Sequence, residues 1–211
     1  MSSIIVLASD TPHRRFFIKS LMSKFSNIKC VIFETESIKP SFSTGPFYER
    51  EERKFENDSF FVDFDDDLDK VQIHYVDTIN SEQSISLITK ISPSFAVIFG
   101  TRKVSKKVTK LFEDGAINVH RGIASEYRGL DSNLWAIYHE DFNNLGITIH
   151  KVNDVLDTGE IIYEEKLNVP FNSEIFQLRY YETLLATNLT MRAIEDYNSG
   201  RIVSFKQEKF G

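Results

Sequence analysis

The chain has 211 residues, 41% of them apolar, which suits one domain with a sizeable core. Lysine plus arginine is 25 against 31 aspartates and glutamates, a formal net charge of −6, which disfavours non-specific nucleic-acid binding because that rests on neutralising phosphates. One cysteine, Cys30, excludes an internal disulfide and a cysteine-based zinc site.

Residues 4–8 form a continuous apolar run, expected of a strand buried on both faces of a parallel sheet. The opening carries no basic region, so it reads as a strand and not as a signal peptide. With no apolar run of membrane-spanning length, a cytoplasmic protein without membrane contact is expected. The turn at 9–12, with Pro12 at its end, starts a helix over about 13–25 that sets Phe17, Leu21 and Phe25 on one stripe. A strand at 30–33 completes a βαβ unit, whose first turn is the usual ligand-facing crevice of such sheets. His13, Arg14 and Arg15 at the helix start suit an anion, or else they are solvated first-turn residues.

Residues 36–70 are less legible. A polar loop is expected at 37–46 and a charged surface helix at 47–61. The acidic stretch 63–69 invites a calcium reading, but Leu68 stands where an EF-hand loop needs glycine and His74 where it needs glutamate, so a solvated loop is expected. Alternation then resumes: strand 71–76, helix 81–91 with Asn80 as its candidate cap, strand 95–100, helix 105–112 and strand 116–120. Asp131 or Ser132 caps a helix carrying Leu134, Trp135 and Tyr138. Strands follow at 146–152 and 160–169. A long helix begins at 170–173, turns Ile175, Leu178, Leu185, Leu189 and Ile194 inward and stops at 198–200; Ile202 and Val203 suggest an edge strand. This pattern predicts a doubly wound α/β fold with a mostly parallel sheet. Residues 1–211 are expected to form a single domain, with about 171–211 as a C-terminal helix and tail.

Two short stretches carry the chemistry. In Ile117-Asn-Val-His-Arg-Gly-Ile-Ala-Ser-Glu-Tyr-Arg-Gly129, strand alternation projects Asn118 and His120 on the same side, where the strand gives way to Gly122. A neutral amide donor beside a group that titrates near neutrality suits a tetrahedral oxyanion. In Val155-Leu-Asp-Thr-Gly-Glu160, Asp157 occupies a tight turn; brought up to His120, it would orient the imidazole and favour its protonated form. His74, His139 and His150 have no comparable setting, and no pair has metal-ligand spacing with a third ligand nearby, so no metal is expected. Neither a P-loop nor a dinucleotide fingerprint is present.

Asn-x-His, then Tyr-Arg-Gly, then Leu-Asp-Thr-Gly-Glu-Ile-Ile resembles the catalytic core of the folate-dependent formyltransferases, with a Rossmann-like fold. The resemblance covers about residues 95–166 and, more loosely, the first βαβ unit. It implies transfer of a formyl group from 10-formyltetrahydrofolate, as co-substrate, to a primary amine. By position it implies Asn118, His120 and Asp157 as catalytic residues. Arg102, Lys103 and Val104 match one loop lining the folate pterin, and Asn153, Asp154, Val155 and Leu156 match the second.

The chain departs from the family where the Leu-Leu-Pro that often follows the catalytic histidine is missing, and where Ser9-Asp-Thr-Pro-His-Arg-Arg15 replaces the Gly-Ser-Asn phosphate loop of the glycinamide-ribonucleotide enzymes. The methionyl-tRNA enzymes carry a further C-terminal domain for which 211 residues leave no room. The Ser-Asp…His-Arg opening with His-x-Gly…Tyr-Arg-Gly is most similar to the branch that formylates amino sugars on nucleotide carriers, in polysaccharide synthesis. That branch implies His13, Arg14, Arg15, Arg121, Tyr127, Arg128 and Gly129 as substrate-binding, although Arg128 equally suits a brace for its own turn. Glycinamide ribonucleotide or another small amine remains the alternative acceptor, and a non-catalytic folate- or nucleotide-binding relative a third reading, disfavoured by the intact triad. The sequence leaves a homodimer open.

Overall fold

Apolar strand runs alternating with helical stripes build one seven-stranded sheet with helices on both faces. The computed structural model describes residues 3–36, 48–61, 68 and 71–208. The strands are β1 (Ile4–Ser9), β2 (Ile28–Glu34), β3 (Gln72–Val76), β4 (Phe95–Phe99), β5 (Ala116–His120), β6 (Gly146–Lys151) and β7 (Ile161–Lys166). The helices are α1 (Pro12–Lys24), α2 (Glu49–Phe60), α3 (Glu82–Ile91), α4 (Lys106–Thr109), α5 (Ser132–Tyr138) and α6 (Leu178–Asn198). Strand order is β3-β2-β1-β4-β5-β6-β7. The first five strands are parallel, and β6 and β7 are added antiparallel. This is the doubly wound, mostly parallel arrangement expected.

Alternation along the strands divides the core into two layers. Ile4, Val6, Phe33, Val97, Ile117 and Ile149 pack beneath Phe17 and Leu21 of α1 and Leu189 and Ile194 of α6. On the other face Ile5, Leu7, Ile32, Ile98 and Ala116 pack against Ile88 of α3 and Val108 of α4. Chain order reverses about β1 and β4, so the C-terminal ends of these strands open a crevice at the topological switch point.

Several local expectations need correction. The helix expected at 47–61 is α2, and it is not simply a surface helix: Glu52 and Glu56 are buried. Arg179 of α6 meets both, at 2.7 Å from Glu52 and 2.6 Å from Glu56, so a run that reads as solvated is an inter-helix clamp. Ser81, not Asn80, caps α3, its hydroxyl accepting from the Ser84 amide. Asn80 instead braces the next loop, donating to the Lys103 carbonyl and accepting from the Ser105 amide.

At α5 neither Asp131 nor Ser132 makes a side-chain cap bond. Asp131 precedes the helix in the left-handed region, and Ser132 lies within it. Here the buried residues are Ser132, Asn133 and Ala136, while Trp135 and Tyr138 are exposed. Asn133 bonds the Gly146 backbone and Glu182, which turns the polar face inward. The long helix begins only at Leu178, after a 3-10 turn at Ile175–Gln177. Ile202 and Val203 form no edge strand; the tail makes one antiparallel bridge, Phe205 to Ile161. The loop expected at 37–46 and the acidic stretch at 63–69, apart from Leu68, lie outside the described residues.

Candidate active site

The last residues of β5, Asn118 and His120 among them, line the crevice. His120 is buried, and its Nε2 lies 2.9 Å from the Tyr127 carbonyl. A carbonyl only accepts, so Nε2 carries a proton. Nδ1 then faces Asp157 Oδ2 at 3.5 Å. Burial lowers the His120 pKa below its ordinary value, although Asp157 and the Tyr127 carbonyl pull it upward. The imidazole is therefore poised neutral, and a proton arriving at Nδ1 finds a carboxylate beside it.

The sheet register supplies a partner that strand-by-strand reading overlooks. His150 on β6 pairs directly opposite Asn118 on β5. Its Nδ1 lies 2.9 Å from the Lys151 carbonyl, and its Nε2 lies 3.2 Å from the Asn118 amide nitrogen. Asp157 Oδ1 lies 3.3 Å from the same Nε2 and accepts from Asn118 at 3.4 Å. The other oxygen, Oδ2, accepts the Gly129 amide at 2.9 Å. Burial pushes the Asp157 carboxyl up, but the His150 contact, His120 and the Gly129 amide outweigh it and hold it below the ordinary value. Two imidazoles, one amide and one carboxylate thus form a closed network, and the expectation that His150 lacks a setting is corrected.

The backbone around the network explains both motifs. The Tyr-Arg-Gly segment acts mainly through its main chain, the Tyr127 carbonyl on His120 and the Gly129 amide on Asp157. Thr148 fixes the start of that loop, donating to the Gly122 carbonyl and accepting from the Ala124 amide. In the Asp-Thr-Gly turn, Asp157 itself has φ +52°, a conformation that aspartate tolerates better than most residues. Gly159 lies so close to the Lys151 carbonyl that a Cβ would overlap its oxygen.

A cleft of about 830 Å³ opens over this network. Arg102, Lys103 and Val104 line one side and Asn153, Val155 and Leu156 another, together with Ile98, Val119 and Val152. Asp154 is not in the lining and pairs with Lys106 at 2.5 Å. Glu34 fixes the first loop by accepting the Arg102 amide at 2.8 Å and the Ile79 amide at 3.0 Å. The second loop is held by Asn153, which accepts from the Val155 amide and the Thr158 hydroxyl. An apolar slot between loops with rigid backbones suits a flat heterocycle that also needs main-chain hydrogen bonds.

The expected anion-binding residues are dispersed. Arg14 reaches the cleft and donates to Ser9 Oγ at 2.5 Å; burial, with Arg121 and Arg179 nearby, lowers its pKa to about 9. His13, in the first turn of α1, is buried 3.4 Å from Glu56 of α2; burial, with Arg14, Arg179 and Arg121 adding to it, holds its pKa well below the ordinary value. Neither residue is solvated. Arg15 forks onto Asp10 at 2.6 and 2.8 Å. Arg121 reaches Glu182 at 3.3 Å. The Tyr127 hydroxyl turns to Asp141, and Arg128 donates to the Ala124 carbonyl and to Gln207, so neither side chain lines the cleft. Gly129 does line it. Among the described residues no group of three His, Cys, Asp or Glu side chains could hold a metal ion, and no helix is long and apolar enough to cross a membrane.

Comparison with known proteins meets this geometry from outside. A methionyl-tRNA formyltransferase from Caldicellulosiruptor saccharolyticus is 29% identical over 129 residues, 61% of this chain; the chain spans only about two fifths of the relative's length, the match covering 40% of it. A glycinamide ribonucleotide transformylase from Symbiobacterium toebii shares the fold at a TM-score of 0.68 and 17% identity, covering 99% of this chain and 95% of that one. A formyltransferase from Anoxybacillus kamchatkensis, in complex with UDP-4,6-dideoxy-4-formamido-L-AltNAc and tetrahydrofolate, matches at a TM-score of 0.60 and 18% identity over 99% of this chain and 84% of that one. The family model described as formyl transferase matches residues 67–181, more than half of the sequence and all of the network above. The chain belongs to the formyl transferase family.

Proposed function

We propose that the protein transfers the formyl group of 10-formyltetrahydrofolate to the primary amine of a nucleotide-linked amino sugar. The observation that carries the formyl-transfer part is the closed network of Asn118, His120, His150 and Asp157 at the floor of the cleft. The apolar slot between 102–104 and 153–156 suits the pterin, and the Anoxybacillus enzyme, with tetrahydrofolate and a nucleotide-linked formamido sugar bound, is one neighbour that supports the donor and acceptor classes.

The neutral amine attacks the formyl carbon, and the carbonyl electron pair moves onto oxygen. Asn118 donates an amide N–H to that oxyanion, and His120 adds a second donor as its Nε2–H leaves the Tyr127 carbonyl. The ammonium proton passes to Asp157, directly or through a water, and the carbon–nitrogen bond to tetrahydrofolate breaks as the oxyanion collapses. A proton delivered to the leaving nitrogen closes the balance. His150 keeps Asn118 facing inward throughout.

Asn118→Ala and His120→Ala should each lower kcat about a hundred- to a thousand-fold with folate affinity unchanged, as loss of one oxyanion donor does. Rapid-mixing assays with a dissociation constant for a stable folate analogue check both halves; a His120→Ala enzyme with most of its turnover would refute the scheme. A second acceptor, glycinamide ribonucleotide, is favoured by the near-complete coverage of the Symbiobacterium transformylase. Side-by-side assay of the two amines separates these readings.

A further inference from the structure

The Arg128 side chain turns away from the cleft, and one partner it reaches lies far along the chain. After α6 the chain returns to the start of β7. There Phe205 exchanges two backbone hydrogen bonds with Ile161, at 2.8 and 2.9 Å, and the Ser204 hydroxyl donates to Glu160 at 2.7 Å. Two residues later Gln207 is buried. Its side-chain nitrogen donates to the Asp157 and Gly159 carbonyls, each at 2.8 Å, and its oxygen accepts from Arg128 at 2.6 Å.

Those three contacts are of opposite sense. Two carbonyls only accept and a guanidinium only donates, so the group between them must offer two N–H donors and an acceptor. Among uncharged side chains a carboxamide meets that demand. The amide of Gln207 therefore joins the two backbone segments that place the reacting groups. On one side, Arg128 also donates to the Ala124 carbonyl at 3.0 Å, and its neighbours Tyr127 and Gly129 hold His120 and Asp157 through the main chain. On the other side, the two carbonyls flank Thr158 in the turn where Asp157 keeps φ +52°. Such a backbone persists when its surroundings fix it. Between the two segments lies the 3.5 Å that separates His120 Nδ1 from Asp157 Oδ2. That gap is longer than an ordinary hydrogen bond, so a small movement of the turn changes the contact steeply.

Resting on the formyl-transfer reading, we propose that Gln207 is a positioning residue for the reaction, whose amide sets the distance between His120 and Asp157 from outside the cleft. It touches neither reacting group's side chain and is not in the cleft lining, so its effect falls on turnover and not on substrate binding.

The test uses two substitutions in the full chain. Gln207→Met keeps the length and loses all three hydrogen bonds. Its kcat should fall by up to about a hundred-fold, as when reacting groups shift by an ångström, with the folate KM unmoved. Gln207→Glu keeps the size and the Arg128 contact, so the fold is retained, but it turns a carboxylate onto two carbonyls; its kcat should fall at least about ten-fold with Tm unaltered. A histidine titration by NMR, with the His120 signal assigned through His120→Ala, reads the geometry without any substrate. Burial, His150 and Arg121 lower the His120 pKa, whereas Asp157 and the Tyr127 carbonyl raise it. Losing Asp157 from its place in Gln207→Met should therefore shift the titration further down, whereas general loosening would admit water and bring it back up. A His120 titration that stays put or rises in Gln207→Met, or a wild-type kcat in Gln207→Glu, would overturn the proposal. Formylation of an amino-sugar nucleotide by the wild type is followed in parallel. No formylated product, with the downward His120 shift intact, would refute the formyl-transfer reading and leave the positioning geometry standing.

Discussion

His150 shows how a single residue can be plain in a structure and silent in a sequence. Its role depends on which residue of β5 lies opposite it, and only the strand register determines that. His150→Leu should misplace the Asn118 amide and lower kcat about a hundred-fold, the scale expected when reacting groups shift by an ångström. His150→Gln keeps a carbonyl to accept from Asn118 and should retain clearly more activity. Equal losses in steady-state assays of the two variants would show that His150 acts in another way. Asn118, His120 and Asp157 were legible as candidates because they stand in two short motifs that together resemble a known catalytic core. The candidate anion set was less informative, since Arg15, Arg121 and Arg128 meet partners 5, 61 and 79 positions away.

Among the elements, the strands were the most legible, because continuous apolar runs such as 4–8 and 95–99 leave little choice of structure. Helix α2 was the least legible. Its glutamates look solvated until α6 places Arg179 between them. Arg179→Ala would strand two buried carboxylates and should cost about 3–5 kcal/mol, read as a lower urea midpoint. An unchanged midpoint would mean that α2 is held by its aromatic contacts, including Phe55 with Tyr180 and Phe60 with Tyr180. The turn at 157–159 is decided by proximity and not by turn propensity. Gly159→Ala should force the turn off the Lys151 carbonyl at a cost of about 1–3 kcal/mol and carry Asp157 away from His120, so Tm and kcat should fall together.

At the scale of the whole molecule, buried ionisable groups shape the pH dependence of stability. His13 and His120 are held below the ordinary value of 6.5, so the unfolded chain binds their protons first; Tm should fall as pH drops below about 6.5. Glu52 works in the opposite sense. Raised from 4.5 to about 7, it binds its proton more tightly in the folded state and costs stability as pH climbs through 7. The Tm of Glu52→Gln relative to wild type should therefore improve between pH 6 and 8, and a constant difference across that range would contradict the assignment. Chain connectivity adds a mechanical consequence. Gln207, four residues from the end of the sequence, donates to the carbonyls of Asp157 and Gly159 and accepts from Arg128. It ties the loop after β5 to the turn before β7, although Asp157 and Gln207 are 50 positions apart in sequence. The exposed stretch before it, with Val203 at 79% exposure, is open to a protease. A single clip there would leave the sheet intact and unfasten the reaction centre, so catalysis should die in a digest long before the fold melts.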